Sequence, residues 1–178
     1  MGNTSALYLY YSAVNLYPLA CGLASTGELL PRSNPAVQLA VDQQLLTVEL
    51  AQLAEFSAAT PPAVTRILFT DADQQARHFV EQLARDAGLT VRADAVGNLF
   101  LRWEVGPADL PAVATGSHID AIPHSGRYDG TVGVLGGLEA IRTLQRAGLS
   151  PGRSIELIVF TSEEPTRFGI GCLGSRLL

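Results

Sequence analysis

The chain has 178 residues, of which 47% are hydrophobic and 16% are charged, and its formal net charge is −5. This length allows one domain with a sizeable core, and the hydrophobic content excludes a disordered chain. The acidic balance disfavours nucleic acid as a partner, because phosphate binding needs clustered Lys and Arg. The two cysteines, Cys21 and Cys172, form neither a disulfide framework nor a spaced zinc pair, and we expect both to be small buried apolar residues.

Residues 1–32 differ in composition from the rest of the chain. No Lys or Arg precedes Arg32, and Leu7–Leu23 is an uncharged run that ends among small residues. The run has the length of a signal-peptide apolar region, and the alternative is a disordered or locally packed N-terminus. Asn15 and Pro18 interrupt it, so we predict no membrane-spanning helix there.

The first predicted helix begins with Asn34 as N-cap and ends near Ser57. Its apolar spacing places Val41 and Val48 on the buried stripe and Glu49 on the polar side.

The second predicted helix begins at Thr70, whose hydroxyl can cap it, and ends at Gly88. Ala76 belongs to its buried stripe, Arg77 faces water, and His78 lies beside the stripe as a partly exposed residue.

The second half of the chain alternates strands and helices. The predicted strands are Thr90–Asp94, Asn98–Trp103, Pro111–Gly116 and Ser154–Phe160. The predicted helices are Thr131–Ala147, with Val132 on its buried side, and a last helix that starts near Gly169. A strand–helix–strand unit implies parallel neighbours and a right-handed crossover. We therefore predict an α/β fold with a mixed, largely parallel sheet flanked by helices.

Three acid-rich clusters lie where a strand ends or a helix begins, at Gly116–Asp120, Gly126–Gly130 and Thr161–Pro165. In open α/β sheets, ligands bind beyond the carboxyl ends of the strands. His118 follows one strand and the Glu163–Glu164 pair follows the next, so we expect them to meet at one edge of the sheet.

The residue types in these clusters suit a site for one or two divalent metal ions. A neutral imidazole at His118 is a ligand for zinc or manganese, and Asp120 can accept a hydrogen bond from its other nitrogen. Asp129 can bridge two metal ions, since one carboxylate has two oxygens. The alternatives are a capped strand end for His118 and a helix N-cap for Asp129. Several glycines follow Asp129, which indicates close packing around the start of that helix.

Glu163 and Glu164 follow a buried strand, where adjacent acids repel each other and are costly to desolvate. A cation resolves both problems. One glutamate would bind metal, and the other would act as general base on water and then protonate the leaving nitrogen. The alternative is a solvated turn. The chain contains no Gly-x-Ser-x-Gly nucleophile elbow and no phosphate-binding loop.

With these residues in hand, a family resemblance is evident. Thr115–Asp120, Ser125–Gly130 and Thr161–Gly169 resemble the motifs of the M20 metallopeptidase-like amidohydrolases. More narrowly, they look like the branch that contains allantoate, ureidoglycolate and N-carbamoyl-L-amino acid amidohydrolases, and the plant-type ureidoglycolate enzymes are the nearest match. Three flanking stretches also resemble that group, namely Val64–Thr70, Ala95–Leu99 and Gly171–Arg176.

The resemblance implies roles for individual residues. His118, Asp129 and Glu164 would bind two divalent metal ions, with manganese favoured and zinc possible, and Asp129 would bridge them. Glu163 would be the general base, Asp120 would orient His118, and both glutamates would lie against the substrate.

The resemblance also implies a whole-protein activity and context. The expected reaction is hydrolysis of a C–N bond in a small ureido acid, most simply ureidoglycolate to glyoxylate, ammonia and carbon dioxide, with allantoate and N-carbamoyl amino acids as alternatives. Complete members are longer homodimers, so we expect residues 33–178 to be the N-terminal part of a catalytic domain that stops before the dimerisation domain. Such a fragment would lack metal ligands and be inactive alone, and a truncated non-catalytic or binding module is the alternative of another class. The plant-type group suggests the endoplasmic reticulum or secretory pathway, with the cytoplasm as the alternative.

Overall fold

The computed structural model describes residues 39–178, which contain the helices and strands that carry the predicted site. The helices are α1 (Gln43–Glu55), α2 (Asp71–Asp86), α3 (Thr131–Arg146) and α4 (Leu173–Arg176). The strands are β1 (Val64–Arg66), β2 (Thr90–Ala93), β3 (Leu99–Trp103), β4 (Val113–His118), β5 (Ala121–Ser125) and β6 (Ile155–Phe160). The run Leu7–Leu23, Cys21 and the predicted N-cap Asn34 lie outside the described residues.

The main sheet is mixed, as predicted, and has the strand order β2-β3-β6-β4. The parallel pairing predicted to dominate is found between β4 and β6, which α3 connects, whereas β2–β3 and β3–β6 pair antiparallel. A second, two-stranded sheet joins β1 and β5 antiparallel. The sequence did not predict this pair, because β1 has three residues and shows no alternation that periodicity could detect.

Helices cover one face of the main sheet and enclose the core. Leu101 on β3 and Leu157 on β6 pack there with Val80 of α2 and Leu135 of α3, and all four are fully buried. The opposite face carries a smaller cluster of Phe100, Ile158 and Phe160. At the edge of the sheet, the first three residues of β4 (Val113–Thr115) are exposed. No helix within residues 39–178 is long and apolar enough to cross a membrane.

The burial predicted for α1 is wrong at three positions. Val41 and Val48 are 59% and 46% exposed, whereas Leu50 and Leu53 are buried. Glu49, placed on the polar side, is buried and forms a 2.8 Å ion pair with Arg142 of α3. Helix α1 therefore faces the rest of the domain with Glu49, Leu50 and Leu53, and not with the expected valines.

Helix α2 begins as predicted, with Thr70 as N-cap accepting from the Asp73 amide. His78 is exposed, as expected. Arg77 does not face water, however. Its side chain is 12% exposed, pairs with the buried carboxylate of Asp73, and donates to the carbonyl of Gly97 and the hydroxyl of Thr161.

Helix α3 begins at Thr131 with Gly130 as its N-cap. The prediction that Val132 is buried is wrong, since it is 44% exposed while Val134, Leu135 and Leu138 fill the core. The last helix is also later and shorter than expected, because the chain first turns back on residues 161–163 and becomes helical at Leu173.

Arg66 is a fully buried cation that ties α1 to the metal-site segment. Its guanidinium donates to the carbonyls of Leu53 and Phe56 at the end of α1 and, at 2.8 Å, to the carbonyl of Ile119. Burial lowers the pKa of Arg66 to about 10, against the raising effect of nearby Asp73 and Asp120, so it stays protonated at neutral pH.

Candidate metal centre

The ends of β4 and β6 bring two of the three acid-rich clusters together. The two strands pair in parallel register, with His118 opposite Phe160 at their carboxyl ends. The chain then continues to Asp120 after β4 and to Glu163 and Glu164 after β6. Because parallel strands end at one edge of the sheet, side chains 45 positions apart in sequence meet there.

Helix α3 brings the third cluster to the same place. Gly130 has a φ of +66°, and a Cβ at this position would lie 2.5 Å from Nε2 of His118. Glycine therefore allows the start of α3 to approach the imidazole this closely. The Oδ1 atom of Asp129 lies 3.9 Å from Nε2 of His118. Asp129 is not the helix N-cap, and α3 has no side-chain cap, so the alternative role considered for this carboxylate does not apply.

The imidazole of His118 is held in one orientation. Its side chain is buried, and Nδ1 lies 3.0 Å from the backbone carbonyl of Asp120. A carbonyl can only accept, so Nδ1 carries a proton, and loss of the second ring proton leaves the lone pair of Nε2 facing the acidic side chains. The orienting group is thus mainly the carbonyl of Asp120, since its carboxylate lies farther from Nδ1, at 3.6 Å.

The carboxylate of Asp120 contacts the segment that carries the two glutamates. Its Oδ2 accepts from the amide of Glu164 at 3.0 Å, and its Oδ1 lies 3.4 Å from the amide of Glu163. Asp120 is 1% exposed, so these bonds are shielded from water. Asp120 therefore links the His118 segment to the glutamate segment through both its carbonyl and its carboxylate.

The side chain of Glu163 has a different partner on each oxygen. Oε2 lies 3.5 Å from Nε2 of His118, and Oε1 accepts from Sγ of Cys172 at 3.3 Å. Cys172 is therefore not the buried apolar residue that we expected, because it is half-buried and bonded to a site carboxylate. That hydrogen bond is the main cause that raises the pKa of the Cys172 thiol, with burial second.

The site has an excess of negative charge that favours a cation. Burial lowers the pKa of His118, but the hydrogen bond and charge of Asp120 and the charge of Glu163 outweigh burial and raise this pKa to about 9. Burial raises the pKa of Glu164, and the carboxylates of Glu163, Asp129 and Asp120 raise it further against the lowering effect of His118. A proton or a metal ion at this position would relieve the same repulsion.

The residues present fit part of a divalent metal site. The fit rests on Nε2 of His118, which faces carboxylate oxygens of Glu163 and Asp129, and a metal ion would replace the proton on Nε2. Imidazole and carboxylate are ligands that zinc and manganese accept. Glu164 is placed beside these residues by the hydrogen bond from its backbone N–H to the carboxylate of Asp120. Within residues 39–178, however, no three His, Cys, Asp or Glu side chains are grouped closely enough to form a complete site.

Three residues that bear on the site were not identified from the residue patterns: Arg66, Asn98 and Cys172. Arg66 and Asn98 contact the backbone next to the predicted site residues, and Cys172 contacts the side chain of Glu163. None of the three belongs to a motif with the spacing of metal ligands, so spacing alone does not identify them. Each does fall in one of the flanking stretches that resemble the amidohydrolases, namely Val64–Thr70, Ala95–Leu99 and Gly171–Arg176.

Comparison with known proteins agrees with the resemblance seen in the motifs. The family model described as Peptidase family M28 matches residues 98–178. A ureidoglycolate hydrolase of Arabidopsis thaliana is 61% identical over 145 residues, which cover 82% of this chain and 30% of that protein. An N-carbamoyl-L-amino-acid amidohydrolase of a Pseudomonas species is 37% identical over 136 residues, covering 76% of this chain and 33% of that protein.

Over the aligned residues, the chain is similar to part of these amidohydrolases. The fold agrees, since the crystal structure of AtUAH in complex with glyoxylate superimposes with a TM-score of 0.77 at 61% identity, covering 79% of this chain and 33% of that chain. The expected amidohydrolase branch is confirmed, although the matching family model carries the name M28 and not M20. The chain spans about a third of the length of these amidohydrolases.

Proposed function

We propose that this chain supplies metal-binding and acid–base residues to a metal-dependent amidohydrolase that acts on ureidoglycolate. The observation that carries the substrate class is the 61% identity to a ureidoglycolate hydrolase over 145 residues. A related structure binds glyoxylate, which is a product expected from ureidoglycolate. Allantoate and N-carbamoyl-L-amino acids are the alternative substrates, since enzymes with those names are also among its relatives.

His118, Asp129 and Glu164 would hold one or two divalent ions, with manganese favoured. A bound ion would activate water and polarise the carbonyl of the scissile C–N bond. Glu163 would take a proton from that water and pass it to the leaving nitrogen. The contact of Cys172 Sγ with Oε1 of Glu163 holds the carboxylate in place for this transfer.

Exchange of the proposed base separates proton transfer from metal binding. Glu163→Gln keeps the size and one oxygen of the side chain but cannot accept a proton. In the longest natural form of the protein, supplied with Mn²⁺ and ureidoglycolate, we expect ammonia release to fall at least about 100-fold while the metal content is unchanged. A fully active Glu163→Gln protein would show that another group is the base.

A panel of substrates decides among the related activities. Ammonia release from ureidoglycolate, allantoate and an N-carbamoyl-L-amino acid is compared under the same conditions, and the highest kcat/KM identifies the substrate. A preference for either alternative would overturn the ureidoglycolate proposal but leave the assignment of the site residues in place.

A non-catalytic module is the second candidate for the 178-residue chain by itself. It is favoured by the incomplete grouping of metal ligands among residues 39–178. Calorimetric titration with Mn²⁺ distinguishes the two, because His118, Asp129 and Glu164 alone leave two ions under-ligated. Tight binding of two ions would contradict the argument that the chain lacks metal ligands, and weak or no binding would support it.

Secretory-pathway localisation and assembly of the whole protein as a homodimer are proposals as well. The first is tested by fusing residues 1–32 to a fluorescent protein, and a cytoplasmic signal would contradict it.

A further inference from the structure

Two of the flanking stretches, Ala95–Leu99 and Gly171–Arg176, meet in the structure beside the proposed base. The contact is made by the side chain of Asn98, which is 0% exposed, and by the backbone of Gly174. Neither residue is a metal ligand or an acid–base group, so the proposed function gives them no role.

The amide of Asn98 bridges three separate segments. Its Oδ1 accepts from the backbone N–H of Thr161 at 2.9 Å, and its Nδ2 donates to the carbonyl of Gly174 at 3.1 Å and to Oδ2 of Asp94 at 2.8 Å. Thr161 is the first residue after β6 and lies two positions before Glu163. Asn98 therefore joins the start of the glutamate segment to the segment that returns to it.

The returning segment closes a loop around the two glutamates. The amides of Cys172, Leu173 and Gly174 donate to the carbonyls of Glu163, Ser162 and Thr161 at 2.8, 3.0 and 2.8 Å. We call residues Thr161–Gly174 the glutamate loop. A Cβ on Gly174 would lie 2.1 Å from Oδ1 of Asn98, so the loop closes directly on this side chain.

The glutamate loop is held in a conformation that it would not keep without support. Ser162 and Cys172, at the two ends of its closing contacts, have φ values of +53° and +59°, which non-glycine residues rarely adopt. Such residues persist only where the surrounding contacts over-determine them. The hydrogen bonds of Asn98 are buried contacts that do so here.

We propose that Asn98 is a positioning residue that locks the glutamate loop, so that the carboxylate of Glu163 stays against Cys172 on one side and His118 on the other. This inference rests on the proposed function, in which Glu163 and Glu164 serve the metal site. It predicts that loss of the Asn98 amide opens the loop locally while the remainder of the domain stays folded.

Reactivity of the Cys172 thiol reports this opening. In a Cys21→Ser background Cys172 is the single thiol of the chain, and it is half-buried against Glu163. Labelling with a thiol reagent under native conditions then combines reaction of the closed loop with faster reaction of the open loop, so an increase in rate reports opening. We expect Asn98→Ala to increase the labelling rate at least about tenfold, since several buried hydrogen bonds are lost.

The matched control is Leu135→Ala, which destabilises the whole domain through a core cavity far from Asn98 in sequence. It should leave the labelling rate unchanged, because local opening is far more frequent than global unfolding. The proposal is overturned if Asn98→Ala labels within twofold of the parent protein, or if Leu135→Ala accelerates labelling as much.

A double exchange tests whether the hydrogen bonds of Asn98, and not only its size, hold the loop closed. Asn98→Asp keeps the acceptor for the Thr161 amide but loses both donors and adds repulsion with Asp94. In the double variant with Asp94→Asn, the new side-chain amide at position 94 can donate to the new carboxylate at position 98, so the hydrogen bond between the two positions is restored in the opposite direction. We expect the double variant to recover part of the slow labelling that Asn98→Asp loses, since the contact with position 94 returns while the donor to the Gly174 carbonyl stays lost. No recovery would count against the proposal, and this pair also covers the case in which Asn98→Ala fails to fold.

Mn²⁺ titration of the longest natural form of the protein, followed by electron paramagnetic resonance, links the loop to the site. If Asn98 positions the glutamates, Asn98→Ala should weaken Mn²⁺ binding at least about tenfold, while Leu135→Ala retains the parent affinity. Equal affinity in the parent and Asn98→Ala would overturn the positioning role. If the longest natural form of the protein binds no Mn²⁺, the proposed metal site fails, and the labelling and rescue experiments still decide whether Asn98 locks the loop.

Discussion

Two glycines one turn apart on α3 should respond in opposite directions to the same substitution. Gly133 faces β4, where an added Cβ would lie 2.6 Å from Cβ of Ser117. Gly136 faces open space, with nothing within 4 Å of an added Cβ. Alanine at each position therefore tests whether close packing, and not helix propensity, explains the glycines around the start of α3.

The expected magnitudes follow from these distances. Replacing glycine by alanine in a helix interior gains about 1 kcal/mol. Gly136→Ala should keep that gain and raise the Tm by about 2–4 °C for a domain of this size. Gly133→Ala has the same gain, but overpacking against Ser117 costs about 1–3 kcal/mol. Its net effect should be a loss of up to about 2 kcal/mol.

Urea unfolding followed by circular dichroism measures both variants under one set of conditions. The two free energies of unfolding should differ by about 1–3 kcal/mol, with Gly136→Ala the more stable. If Gly133→Ala stabilises the protein as much as Gly136→Ala, α3 does not pack closely on β4, and the placement of Asp129 beside His118 loses its support.

Two further predictions concern buried polar residues. Arg66→Met leaves three carbonyls without their donor. At about 1 kcal/mol for each lost hydrogen bond, the free energy of unfolding measured by urea titration should fall by about 3 kcal/mol. A loss below about 1 kcal/mol would contradict the role of Arg66 in tying α1 to the metal-site segment. For Glu139, burial raises the pKa, but hydrogen bonds from Arg146, the Asp42 amide and Thr143 outweigh burial and lower it from its ordinary value of 4.5. A carboxyl whose pKa is lower in the folded state contributes stability above its unfolded pKa and loses it as the pH falls through its folded pKa. The difference in unfolding free energy between the parent and Glu139→Gln should therefore be constant from about pH 5.5 to 7 and shrink below about pH 4.5. A difference that stays constant down to about pH 3 would show that ionisation of Glu139 does not contribute to stability.

Elements with a strong local signal were predictable from the sequence. The cap at Thr70 and the alternation in β2 and β3 identify structure within a few neighbouring residues, and the structure has them close to the predicted positions. The meeting of His118 with Glu163 was also predictable, because it depends only on two parallel strands ending together.

What could not be predicted depends on partners distant in the chain. Glu49 looks like a surface residue until its partner Arg142, 93 positions away, is known. Arg66 likewise contacts the Ile119 carbonyl across 53 positions, and Asn98 reaches Thr161 across 63. Periodicity describes which face of an element is apolar, but it contains no information on which buried polar groups satisfy one another.

The exposed first half of β4 has a consequence for work with the purified chain. β4 pairs with β6 on one side, and within residues 39–178 no strand hydrogen-bonds to its other side. The backbone N–H and C=O groups along that side of Val113–Thr115 form a template for strand addition, and the 52% exposed side chain of Val113 adds an apolar contact. We expect any self-association through this edge to grow with concentration. Stability and binding measurements on the isolated chain therefore belong at low micromolar concentration, with light scattering as the check.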